Sequence, residues 1–178
     1  MSMDKQYDHL TAEAAAQKLW EEQNVYSKEQ NPGPLYTIDT PPPTISGSLH
    51  IGHIFSYTQT DILARYARMM GNSVFYPFGF DDNGLPTEKF VEKKLNVFAH
   101  DLKRSEFIAL CLQETKPVEK QFEQLWRRVG LSVDWSASYS TIEDRSRYIS
   151  QLSFIKLYRK GAIYRKDEPA LYCTTCRT

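Results

Sequence analysis

Apolar residues recur at helical spacing over residues 11–23, where Ala12, Ala15, Ala16, Leu19 and Trp20 follow Thr11, a side chain suited to cap a helix start. The breaker-rich NPGP of residues 31–34 closes that region, and LYTID at 35–39 predicts a short buried strand. Helical spacing returns from Leu49 or His50 to about Met70, with Ile54, Tyr57, Asp61, Leu63 and Ala64 in sequence, until Gly71 and Asn72 stop it. SVFYPFGF (73–80) predicts a second strand. LPTEKFVEKKL (85–95) predicts a short helix with Pro86 near its start, where a missing N–H costs little. A long helix is expected over roughly 102–129, interrupted or kinked at Pro117. Another is expected over about 142–159, where Tyr148, Leu152, Ile155 and Tyr158 form an apolar stripe. AIYRKDEPALYC (162–173) predicts two short strands around a turn at Asp167 to Pro169.

Strand, glycine-containing loop, helix and strand in succession yield a crossover between parallel strands. The expected fold is therefore α/β, a Rossmann-like parallel sheet with helices on both faces. Ligands of such sheets sit at the carboxyl ends of the strands, and PPPTISGSLHIGH (41–53) lies there. Pro41, Pro42 and Pro43 fix the backbone extended and present carbonyls with no competing N–H groups. Gly47 relieves the loop. Gly52, inside the first helical turn, costs about 1 kcal/mol relative to Ala and leaves room for a flat ligand against the backbone. His50 and His53 are three apart, so both imidazoles emerge on one face of that turn. The turn also offers unpaired N–H groups and the positive end of the helix dipole, a seat for phosphate. A surface or helix-capping histidine, a metal pair and a structural turn are the competing readings, but no H-E-x-x-H is present and no third ligand lies nearby, which argues against a zinc hydrolase. The acidic turn GFDDNGLPTE (79–88) follows the second strand on the same sheet edge, where a fixed carboxylate can accept from a ligand ammonium, although such a turn alone is more often a helix cap than a site.

Composition changes this picture little. Lys plus Arg equals Asp plus Glu at 22 each, so net charge argues neither for nor against nucleic acid or an anionic membrane. With 41% hydrophobic and 13% aromatic residues, the 178-residue chain is globular rather than disordered. MSMDKQYDHL is polar and carries acids, unlike a leader peptide, and FIALCL (107–112) is too short to cross a bilayer. A cytoplasmic location without membrane contact is expected. Three cysteines are too few for a disulfide scaffold. Cys111 is expected in the core, and Cys173 with Cys176 has the form of half a zinc knuckle.

PPPTISGSLHIGH resembles the first signature of the class I aminoacyl-tRNA synthetases, whose hallmark tetrapeptide stands here as His50, Ile51, Gly52, His53. The triple proline is similar to the valyl branch of the class. GLPTE (84–88) resembles the isoleucyl pattern somewhat more. GLSVDWSASYST (130–141), FIKLYRKGAIYR (154–165) and LYCTTCRT (171–178) follow the order of the valyl, isoleucyl and leucyl group, so the resemblance covers nearly everything after residue 34. It implies ATP-dependent activation of an amino acid, valine by preference and isoleucine as the alternative, followed by transfer to tRNA. It places Thr40, Thr44, His50, Gly52 and His53 at ATP, with His50 and His53 catalytic, and Pro42, Pro43 and Asp81 at the amino acid. Thr44 stands where most valyl members have Asn. Mg2+ accompanies ATP, and Zn2+ is implied at Cys173 and Cys176 if a second C-x-x-C completes the site. No K-M-S-K-S stretch is present. The chain thus resembles the first half of the catalytic domain: 1–33 a helical extension, 34–161 the half-domain, and 162–178 the start of an inserted connection. The other half is expected in the natural chain. Alone, these residues are expected to bind ATP weakly, to charge no tRNA, and to leave a sheet edge or apolar face exposed. A non-catalytic truncated paralogue that binds nucleotide is one alternative. An unrelated nucleotidyltransferase is another, against which the match beyond residue 130 speaks.

Overall fold

The computed structural model describes residues 6–174. The chain divides into two compact units, 1–142 and 143–178. In the first, the extended run 73–81 is central. It comprises β2 (Ser73–Phe75) and β3 (Pro77–Phe80) and changes partner between them. On one side it pairs in parallel with β1 (Leu35–Thr37), Leu35 opposite Ser73 and Thr37 opposite Phe75. On the other it pairs in parallel with β4 (Asp134–Ser140), Pro77 opposite Asp134 and Phe80 opposite Ser140. The reason is the two-residue period of a strand, which sends successive carbonyls to opposite edges. Phe75 accepts from Ile38 N–H on the β1 side at 2.9 Å, whereas Tyr76 and Phe80 accept from Asp134 and Thr141 N–H on the β4 side at 2.9 and 3.0 Å. Asp81 returns to the first side, donating to Pro43 O and accepting from Ile45 N–H. The α/β class and the parallel crossover are thus as expected, while the single strand over 73–80 is corrected to two ladders.

Between β1 and β2 runs α2 (Ile51–Met69), and between β3 and β4 run α3 (Leu85–Leu95) and α4 (Arg104–Val129). Tyr57, Ala64 and Ala67 of α2 are buried, as are Val118, Phe122 and Trp126 of α4, the latter three spaced four apart on one helix face. Around Phe78 the rings of Tyr57, Trp126, Trp135 and Phe80 gather with centroids 5.2–6.0 Å away, the tilted arrangement that aromatic quadrupoles favour. The helix α4 runs through Pro117 without the interruption that is one of the two outcomes expected there. Burial of the Val118–Phe122–Trp126 face offsets the hydrogen bond the proline removes.

Several other expectations are corrected. The first helix, α1, covers His9–Glu22, and its cap is Asp8, not Thr11; Asp8 accepts from Leu10 N–H at 3.2 Å and from the Thr11 hydroxyl at 2.5 Å. Strand β1 is exposed rather than buried, because it has a neighbour on one side only; Ile38 just beyond it enters the core. Leu63 points outward, and Cys111 is half-buried rather than core, burial pushing its thiol up. In the second unit α5 spans Asp144–Arg159, with Tyr148, Ile155 and Tyr158 of the expected stripe exposed. Residues 162–173 carry no strand. The anticipated apolar face is present on α2, where Ile51, Phe55, Ile62, Tyr66 and Met69 are all exposed.

Candidate active site

The first turn of α2 is capped by its own histidines. His50, in extended conformation, is the N-cap, and its Nδ1 accepts from Gly52 N–H at 3.1 Å. In return His53 Nδ1 accepts from His50 N–H at 3.3 Å, and the rings lie 4.1 Å apart. This is a capping box built from imidazoles, where Ser, Thr or Glu would ordinarily serve. An acceptor Nδ1 places the ring proton on Nε2, so each ring keeps one N–H donor for a ligand. Burial, and then the adjacent His50, hold His53 below the usual imidazole range. The arrangement corrects one expectation: the N–H groups of His50 and Gly52 are already engaged, so a phosphate here would meet imidazole Nε2–H groups rather than those amides. It also gives Gly52 a different reason. A Cβ there would lie 2.9 Å from His50 Cε1 and 3.0 Å from Nδ1, so the bare glycine makes room for the capping ring.

A cleft of about 580 Å³ opens beside this turn. Thr40, Pro42, Pro43, Thr44, His50, Gly52 and His53, all singled out above, line it together. Pro41, also expected in this strip, completes the lining with Ser56, Tyr57 and Thr60, whose place in the cleft was not anticipated. These three carry a legible signal, since 53, 56, 57 and 60 follow the helical spacing and share one face of α2. Tyr57 donates from its hydroxyl to Pro41 O at 2.6 Å, and burial pushes that phenol well up. Pro43 O is likewise engaged, by Asp81 N–H. Of the three proline carbonyls expected to form an open rim, only that of Pro42 lacks a hydrogen bond among the described residues.

Asp81 does not line the cleft, but it is laced to the strip that does. Its N–H and C=O bond Pro43 and Ile45 on either side of Thr44, which forms a bridge with it. Its Oδ1 accepts from the Thr141 hydroxyl at 3.2 Å and from Asn83 N–H at 3.3 Å. Oδ2 has no partner among the described residues. The next residue, Asp82, is buried, with Oδ2 accepting from the Ser140 hydroxyl at 2.5 Å and Oδ1 buried with no hydrogen-bond partner among the described residues. Sequence reasoning missed Ser140 and Thr141, because the β4 ladder alone brings them there from about 60 residues away.

Glu119 on α4 faces this buried acid. Its own burial first, then the charge of Asp82, push its carboxyl up to about 7, against a smaller opposing pull from Lys116. The folded protein therefore keeps a proton that the unfolded chain releases above the ordinary Glu range, so this group's contribution to stability falls as pH rises from about 4.5 to about 7. Because Glu119 is half-exposed, solvent screening reduces the effect to about 1 kcal/mol. Glu119→Gln is expected to flatten that part of the stability profile and to be the more stable form at pH 8, as measured by urea unfolding across pH. Parallel profiles for the two proteins would rule the coupling out.

Cys173 is exposed in the second unit, and Cys176 lies outside the described residues. Among the described residues no three His, Cys, Asp or Glu side chains are grouped to hold a metal. No helix among them is long and apolar enough to cross a membrane.

Residues 15–178 match the family model described as tRNA synthetases class I (I, L, M and V). The chain is 49% identical to the valine–tRNA ligase of Rickettsia felis over 170 residues, 94% of this chain and 20% of that protein. It is 49% identical to that of Rickettsia prowazekii over 172 residues, covering 96% and 21%. Identity to the valine–tRNA ligase of Anaplasma marginale is 46% over 173 residues, covering 97% and 21%. A crystal structure of a ternary LeuRS–tRNA–LeuAMS complex from Agrobacterium radiobacter superposes with a TM-score of 0.74 at 31% identity, over 91% of this chain and 19% of that one. The chain spans about a fifth of the length of the curated relatives it matches. With its paired imidazoles, proline strip and parallel crossover, this chain belongs to the class I tRNA synthetase family.

Proposed function

We propose that residues 34–161 form the first half of the catalytic domain of a valine-activating enzyme, with 1–33 a helical extension and 162–178 the start of an insertion. The reaction is attack of the valine carboxylate on the α-phosphorus of ATP, giving valyl-adenylate and pyrophosphate, then transfer of the valyl group to tRNA. The observation that carries this reading is the single cleft holding both imidazoles and the proline strip. His50 and His53, fixed by their caps, direct Nε2–H donors at phosphate oxygens whose charge grows in the transition state. Thr40, Thr44 and Gly52 border the nucleotide. The unpaired Oδ2 of Asp81, the Pro42 carbonyl and the ring of Pro43 receive the amino acid. Magnesium carried by ATP would supply neutralisation of the phosphate charge. A zinc ion at Cys173 and Cys176 would need further ligands, since no three metal-ligating side chains are grouped among the described residues. The location proposed is the cytoplasm. The relatives named valine–tRNA ligase favour valine over isoleucine.

Titration of the chain with valyl-sulfamoyl-adenosine and its isoleucyl counterpart, followed by NMR, tests this. The valyl compound is expected to bind more tightly, and Asp81→Asn to weaken it about tenfold or more, as loss of a charged hydrogen-bond acceptor should. Equal binding by the Asp81→Asn variant would overturn the amine site, and preference for the isoleucyl compound would overturn the choice of valine.

A further inference from the structure

The amine-binding carboxylate proposed above has a support of its own. The backbone of Asp81 is fixed on both sides of the Thr44 bridge, leaving only the side-chain torsions to aim the carboxylate. The backbone of Thr141 is equally fixed, its N–H donating to Phe80 O at 3.0 Å at the end of the β4 ladder. Its hydroxyl lies between two groups of the acidic turn. Asp82 N–H donates to it at 3.1 Å, which occupies a lone pair and turns the hydroxyl proton away, toward Asp81 Oδ1 at 3.2 Å. Asn83 N–H bonds the same Oδ1 at 3.3 Å. One carboxylate oxygen is thereby held by the protein and the other left for a ligand. Threonine suits the task better than serine, because its branched side chain restricts the torsion that carries the hydroxyl.

We propose that Thr141 is a positioning residue for amino-group recognition, its hydroxyl aiming the Asp81 carboxylate at the ammonium of the amino acid. The inference rests on the reading of Asp81 as the amine acceptor, and the test separates the two. Two ligands are compared by NMR titration: valyl-sulfamoyl-adenosine, and isovaleryl-sulfamoyl-adenosine, which lacks only the amino group. In the wild type the amino group should strengthen binding. Thr141→Val should weaken the amine-bearing ligand about tenfold and leave the amine-free one unchanged, while Thr141→Ser retains most of the preference. In an Asp81→Asn background Thr141→Val should add no further loss, since the hydroxyl acts through the carboxylate. If the valine variant does not fold, Thr141→Ala removes the same hydroxyl and takes its place.

Equal weakening of both ligands, or none, would overturn the role of Thr141 while the Asp81 reading stands. A wild type indifferent to the amino group, or an Asp81→Asn variant that keeps the preference, would overturn the reading of Asp81 and this inference with it.

Discussion

Replacing Asp61 with Ala is expected to lower the unfolding free energy by about 3–5 kcal/mol, the range for breaking a buried ion pair by removing one partner. Asp61 sits on the core face of α2 and is buried. Its Oδ1 accepts from both the N–H and the hydroxyl of Ser132, at 2.7 and 2.5 Å, and its Oδ2 from Arg65 Nε at 2.7 Å. Arg65 reaches on to Gly130 O at 2.5 Å, and Arg68 bonds the Ser132 hydroxyl and carbonyl, both at 2.8 Å. Without the carboxylate two partly buried guanidinium groups lose their counter-charge, and the Ser132 N–H loses its acceptor. That segment joins α4 to β4, so the acid fastens α2 to the strand that ends at Ser140, next to Thr141. Urea unfolding at neutral pH checks the expectation; a loss below about 1 kcal/mol would place the pair among exposed bridges of little consequence. Asp61→Asn, which keeps an acceptor for Ser132 but removes the charge, should fall between the two proteins.

Much of this scaffold is legible in the sequence because it rests on local signals. The helix α2 announces itself through its period and its Gly71–Asn72 stop, and α3 through Pro86. Strand β4 does not. Between Pro77–Asp134 and Gly79–Tyr139 the register takes in three more residues on β4 than on β3, which breaks the alternation by which a strand is read. Asp134 accepts from the N–H and hydroxyl of Ser136 within that irregular stretch, so serines that suggest a loop belong to a strand. The site divides in the same way. The imidazole pair and the proline strip are contiguous in the chain and readable as chemistry. That a histidine at a helix start can cap it is readable; that the two imidazoles cap it reciprocally is not, because histidine is not among the side chains preferred at an N-cap. That Thr141 meets Asp81 follows from strand order alone.

Gly33→Ala is expected to cost about 2–3 kcal/mol, although exchange of glycine for alanine at a tolerant site stabilises by about 0.4–1 kcal/mol through the unfolded chain. In the sequence NPGP reads only as a breaker. In the fold Gly33 packs against the turn that ends α2, where an added Cβ would lie 1.9 Å from Gly71 O and 3.2 Å from Asn72 Cα. Both are backbone atoms, so no side chain can swing aside. The neighbouring bonds allow little retreat: Ser73 N–H donates to Pro34 O at 3.0 Å, the Asn31 amide to Asn72 O at 3.2 Å, and the Ser73 hydroxyl to Lys28 O at 2.5 Å. Separating the two segments would strain the start of the β1–β2 ladder, from which the chain runs directly into Thr40 and the proline strip. The variant should therefore unfold at lower urea, exchange its Ser73 amide faster, and bind valyl-sulfamoyl-adenosine more weakly. Alanine at wild-type stability would mean that the two backbones approach less closely than this packing requires, and that the glycine serves the loop alone.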